Sequence, residues 1–94
     1  TIRSRVPTIA ETDVDSGRPG TIDAFNGLSA NTRVINYLGL PSISVPCGLD
    51  SNGLPIGLML QSRPFGEARL FKVADAFQRV TKWHEAVPPT NAVV

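Results

Sequence analysis

Hydrophobic and polar positions follow three different rhythms along the chain, and each predicts a different element. Over residues 67–82, Leu70, Val73, Ala74, Phe77 and Val80 recur at the three- and four-residue spacing of one helix face, while Lys72, Asp75, Arg79 and Lys82 fall elsewhere. This predicts an amphipathic helix with Gly66 as N-cap, Glu67 at the positive end of its dipole and an Asp75–Arg79 pair one turn apart. Residues 42–47 instead set Ser42 and Ser44 against Ile43 and Val45, the alternation of a strand. Residues 56–61 are almost continuously apolar, which predicts a second strand buried on both faces. Between the strands, Asp50-Ser51-Asn52-Gly53 carries an Asn-Gly pair suited to positive φ, so an antiparallel hairpin is expected. Pro46 has no amide proton, which confines it to an edge, a bulge or a strand end.

Leu28, Val34, Ile35 and Leu38 allow one short helix over residues 28–38, with Asn26 or Ser29 as N-cap and Gly39 as its stop. Residues 1–26 contain Pro7, an acidic stretch and the turn Ser16-Gly17-Arg18-Pro19-Gly20, and read as an irregular lead-in. Pro88 and Pro89 bar any helix from continuing into the tail. The expected organisation is a single partial domain: lead-in 1–26, structured region 27–84 and tail 85–94. One amphipathic helix covers one face of a hairpin, so the other face needs the remainder of a larger fold or a second copy of the chain.

Composition narrows the function classes. Nine basic and eight acidic residues in 94 give a net charge of +1, with no cationic run, which argues against a nucleic-acid partner. With 41% hydrophobic residues the chain has globular composition. No apolar run approaches the roughly 18 residues needed to cross a bilayer, and residues 1–13 lack the apolar stretch of a signal peptide. A single cysteine, Cys47, forms no internal disulfide and suits a reducing cytoplasm. The chain starts at Thr1 and its one methionine is Met59, inside an apolar segment, so it is expected to be a fragment.

The residues offer little chemistry of their own. His84 is the only histidine and falls at a helix end, where an imidazolium favours the dipole, so it reads as structural rather than as a catalytic base. Cys47 has no base near it in sequence and reads as a small packed residue. Asp13-Val14-Asp15 begins like a calcium loop, but Arg18 replaces the required glycine and Ala24 the closing glutamate. One histidine and one cysteine far apart make no zinc site, and Gly53-Leu54-Pro55-Ile56-Gly57 is too bulky for a phosphate loop. No cofactor is expected. Ser42 and Ser44 look like a nucleophile region but lack a base: Lys72 and Lys82 belong to the polar side of the last helix.

The ordered set Thr32-x3-Asn36-x2-Gly39-Leu40-Pro41, Ile43-Ser44-Val45-Pro46-Cys47-Gly48, Asn52-Gly53-Leu54-Pro55-Ile56-Gly57 and Arg63-Pro64-Phe65-Gly66-Glu67 resembles the C-terminal part of the amidase signature hydrolases. Trp83-His84 and the earlier Val6-Pro7-Thr8-Ile9-Ala10 extend the likeness over nearly the whole chain. The resemblance implies an α/β fold, a mixed sheet sandwiched by helices, of which this chain supplies late strands and helices. It also implies hydrolysis of a small-molecule carboxamide through a serine acyl-enzyme, with a second serine in a cis peptide and a lysine base. Those three residues belong to earlier parts of the family's sequence, so no catalytic residue is assigned here and the 94 residues are expected to be inactive alone.

One position bears on substrate. In the glutamine-hydrolysing branch of the family, which serves tRNA-dependent amidotransferases, an aspartate commonly precedes the threonine matched by Thr32 by three positions and holds the amino group of glutamine. Ser29 stands there in this chain and supplies no such charge. The resemblance thus favours a general amidase over a piece of the glutamine-hydrolysing tRNA amidotransferase, and makes Ser29 a candidate residue of the acyl pocket. The alternative from another class is a non-catalytic module that associates with itself or a partner through its open sheet face.

Overall fold

The computed structural model describes residues 1, 2 and 6–89; the part of the tail reading at residues 90–94 lies outside them, as do residues 3–5 of the lead-in. The architecture is α/β: α1 (Ile9–Thr12), α2 (Thr21–Gly27) and α3 (Arg33–Leu38) precede an antiparallel hairpin of β1 (Ser42–Leu49) and β2 (Pro55–Gln61), and α4 (Glu67–Val80) follows. The expected order of helix, hairpin and amphipathic helix is therefore present.

The hairpin pairs Ser42 with Gln61, Val45 with Leu58 and Pro46 with Gly57. The register then slips between Pro46 and Gly48, leaving Cys47 as the extra residue of a bulge. Proline sits where a missing amide donor disrupts least. The connection is closed by Asp50, whose backbone amide donates to Leu54 O at 2.8 Å, while its Oδ1 accepts the amides of Asn52 at 2.8 Å and Leu54 at 2.9 Å. Gly53 supplies the positive φ, 78°, that this turn requires.

Among the described residues, the buried apolar ones are Val45 of β1, Leu70 and Ala74 of α4, and Ile35 of α3. Helix α4 runs against both strands, and a 3-10 turn at Trp83–Glu85 lies against β1. Contrary to expectation, β2 is not buried on either face: none of its seven residues is buried, and Ile56 and Leu58 are exposed. A two-stranded sheet leaves β2 as an open edge, so an apolar run alone does not bring burial.

Two further expectations change. Residues 1–26 are loop-rich but carry α1, a 3-10 turn at Val14–Ser16 and most of α2. Thr8 and Glu11 form a reciprocal capping box at α1, with Thr8 N donating to Glu11 Oε2 at 3.0 Å and Glu11 N to Thr8 Oγ1 at 3.2 Å. The single helix expected over residues 28–38 starts only at Arg33, and neither Asn26 nor Ser29 caps it; Thr32 occupies that position without a side-chain cap bond. Its end matches expectation: Gly39 adopts φ 66°, and the amides of Gly39 and Leu40 close on Asn36 and Ile35.

Candidate functional site

Ser29 lies half-buried in the turn between α2 and α3. Its carbonyl accepts the amides of Thr32 at 3.1 Å and Arg33 at 2.9 Å, together with the Thr32 hydroxyl at 3.3 Å. Its own hydroxyl donates to Asn26 O at 3.4 Å and accepts from Arg33 Nη2 at 2.8 Å. The same Arg33 nitrogen reaches Asn26 O at 2.9 Å. Ser29 thus fixes an exposed guanidinium over the turn, with the serine oxygen as a local acceptor.

A groove of about 710 Å³ opens between the start of the chain and the bulged part of the hairpin. Apolar walls come from Val6, Pro7 and Leu28 on one side and Val45, Pro46 and Ile56 on the other. Ser29 does not line this groove, although its neighbour Leu28 does. Ser44 does line it, on the strand face shared with Pro46, Gly57 and Met59. The Ser44 hydroxyl hydrogen-bonds to the Thr1 hydroxyl, and the Thr1 nitrogen donates to Gly57 O. Asn31 Nδ2 donates to Thr1 O at 2.9 Å, tying the same residue to the turn before α3. Gly57 permits this approach: a Cβ there would lie 2.7 Å from Ser44 Oγ and 2.9 Å from Thr1 Oγ1. The sequence marks Ser44 as a strand residue but gives no sign that the distant Thr1 meets it.

No hydrogen bond among the described residues joins a serine, threonine or cysteine side chain to a lysine or histidine. Cys47 is half-buried at the bulge. His84 Nε2 lies 4.0 Å from Glu85 Oε1, on the turn after α4. Asp13, the first residue of the calcium-like stretch, accepts the Asp15 amide at 3.2 Å as the cap of a 3-10 turn. No group of three or more His, Cys, Asp or Glu among the described residues gathers as a metal site. Nor is any helix among them long and apolar enough to cross a membrane. The Ser44 hydroxyl ties the hairpin to Thr1, and the groove combines mostly apolar walls with the Asp50 carboxylate, whose Oδ1 accepts the amides of Asn52 and Leu54.

The chain is 56% identical over 57 residues to the A subunit of the glutamyl-tRNA(Gln) amidotransferase of Thermosynechococcus vestitus, and equally so to that of Chloroflexus aggregans. It is 55% identical over 57 residues to the corresponding protein of Thiobacillus denitrificans. Each match covers 61% of this chain and 12% of the relative, so the chain spans only a small part of the length of these curated relatives. No solved structure matches. The family model described as Amidase matches residues 1–71, and with it the groove, the hairpin and the turn into α4; the chain belongs to the amidase signature family.

Proposed function

We propose that these 94 residues are scaffold and pocket wall of an amidase that converts a small-molecule carboxamide into a carboxylate and ammonia or an amine. The C–N bond broken is not a peptide bond, and the reaction proceeds through a serine acyl-enzyme. The nucleophile, the second serine and the lysine base lie outside the chain, which acts as one partial domain, with a lead-in over 1–26, a structured region over 27–84 and a tail over 85–94, in a cytoplasmic enzyme. The amidase family match over residues 1–71 carries this reading, and the environment of Ser44 is consistent with it. Acyl transfer needs a base to take the nucleophile's proton and fixed donors for the oxyanion. The Ser44 hydroxyl is occupied by Thr1, and neither lysine nor histidine is hydrogen-bonded to it. Ammonia release from simple amides is expected from the longer polypeptide and absent from the 94 residues alone; release by the short chain would overturn the assignment.

Ser29 is proposed to line the acyl pocket of that enzyme, acting together with the guanidinium that it fixes. Ser29→Ala in the longer polypeptide removes the acceptor for Arg33 Nη2, so the ranking of amide substrates by kcat/KM should change. An unchanged ranking would remove Ser29 from the pocket.

A second reading is favoured by the relatives: the chain is a piece of the glutamine-hydrolysing component of a tRNA-dependent amidotransferase. Comparing glutamine with simple aliphatic amides separates the two. Ser29 in place of an anion supports the general amidase, and strong preference for glutamine would support the amidotransferase.

A further inference from the structure

The turn between β2 and α4 holds a residue whose conformation and environment both run against its chemistry. Phe65 has φ 61°, the one positive value at a non-glycine residue among the described residues. A bulky side chain in the left-handed region is a genuine outlier. The residue is also 95% exposed, although a phenyl ring has much to gain from burial.

The turn around it is firmly tied. Ser62 N donates to Pro41 O at 3.1 Å, Ser62 Oγ to Arg63 O at 2.8 Å, and Gly66 N to the same Arg63 oxygen at 3.0 Å. Gly66 takes φ −90°, so the glycine does not supply the positive φ; its service is room. A Cβ at Gly66 would sit 2.5 Å from Ser62 Oγ and 2.9 Å from Arg63 O. Gly66 packs closely on Ser62 while Phe65 takes the left-handed step, and the ring stands on this hydrogen-bonded turn.

We propose that Phe65 is an anchor: its ring inserts into an apolar pocket on the part of the amidase polypeptide that lies outside these 94 residues. The inference rests on the amidase reading above. The occupant follows from length, because the segment shared with the curated relatives is 12% of theirs and most of such a polypeptide lies elsewhere. A rigid aromatic residue on a pre-formed turn loses little freedom on docking, which is why such residues dominate buried contacts. Backbone strain at an anchor is retained where the side chain's burial more than offsets it.

The test uses the complete polypeptide and two substitutions, Phe65→Gly and Phe65→Asn, both suited to positive φ. If Phe65 stays in water, each relieves strain and stability holds or rises. If Phe65 is an anchor, each raises the unfolding equilibrium constant about tenfold or more in urea, in line with the burial of one phenyl ring. Phe65→Leu keeps the strain and much of the apolar contact, and should fall between parent and Phe65→Gly. Stability equal to or above the parent in Phe65→Gly or Phe65→Asn overturns the proposal. So does a loss that appears only as dissociation of a dimer on dilution, which would make a second copy the occupant. Amide hydrolysis by the parent polypeptide is scored separately, so failure of the amidase reading and failure of the anchor give different results.

Discussion

The first 38 residues and the hairpin with α4 are held together in different ways. In the hairpin and α4, strands of eight and seven residues pair over a long ladder and a 14-residue helix buries Leu70 and Ala74. In the first region the helices are four, seven and six residues long, and their side-chain hydrogen bonds mostly span two to four residues. Among the described residues there, Thr21 and Ile35 are buried. Isolated helices this short are not stable in water, so they depend on contacts with the rest of the molecule and, in α1, on its capping box. One region is organised by apolar burial and the other by satisfaction of backbone polar groups.

The largest effect that can test this contrast lies in α4. Leu70 is 6% exposed, and Leu70→Ala removes apolar contact and leaves a cavity, at a cost of about 2–5 kcal/mol. Urea unfolding should show the loss as a lower midpoint with an unchanged slope. A cost near zero would mean that the helix is not the cover of the hairpin, and the contrast would collapse.

The first region should respond more weakly, through hydrogen bonds. Thr21 is 4% exposed, and its hydroxyl donates to Arg18 O at 3.0 Å across the turn into α2. Thr21→Val keeps the shape and removes that bond, which should cost about 1 kcal/mol. Amide exchange should quicken in α2 before α4, because opening there breaks few apolar contacts. A cost as large as that of Leu70→Ala would show that Thr21 sits in a true core and that the two regions are not distinct.

The same contrast explains what is legible in the sequence. The α4 pattern, the Asp50–Gly53 turn and the Gly39 stop are local signals, and the structure carries all three. The bulge follows from Pro46 lacking an amide proton. Helices α1 and α2 leave no trace in the hydrophobic pattern because so short an element has no apolar period to reveal; the Thr8-x-x-Glu11 capping box is the available sign. Helix α3 starts later than its pattern suggests because Ser29, a good cap by type, spends its hydroxyl on Asn26 and Arg33 instead. In the groove, Thr1 meets Ser44 and Gly57 across more than forty residues of sequence, a contact that no local rule supplies. The positive φ of Phe65 is hidden for a related reason: sequence preference assigns such a step to the adjacent Gly66.

The smallest expected effect tests what lies over the outer side of α4. Arg79 Nε donates to Asp75 Oδ2 at 2.8 Å, and the two side chains are 76% and 61% exposed. The hydrogen bond to Asp75, reinforced by its charge, raises the pKa of Arg79 above its ordinary value. A raised pKa on a cation contributes stability at every pH below its unfolded value, and the contribution fades only as pH rises through the folded one. For arginine that window lies far above neutrality, so this shift adds no pH dependence near pH 7. Water and salt screen so exposed a pair, and Asp75→Asn should leave the urea midpoint unchanged within error at physiological ionic strength. A clear fall in the complete polypeptide, absent at high salt, would mean that another surface dries this side of the helix. Helix α4 would then be packed on both sides, its Leu70 and Ala74 side against the hairpin and its Asp75 and Arg79 side under that second surface.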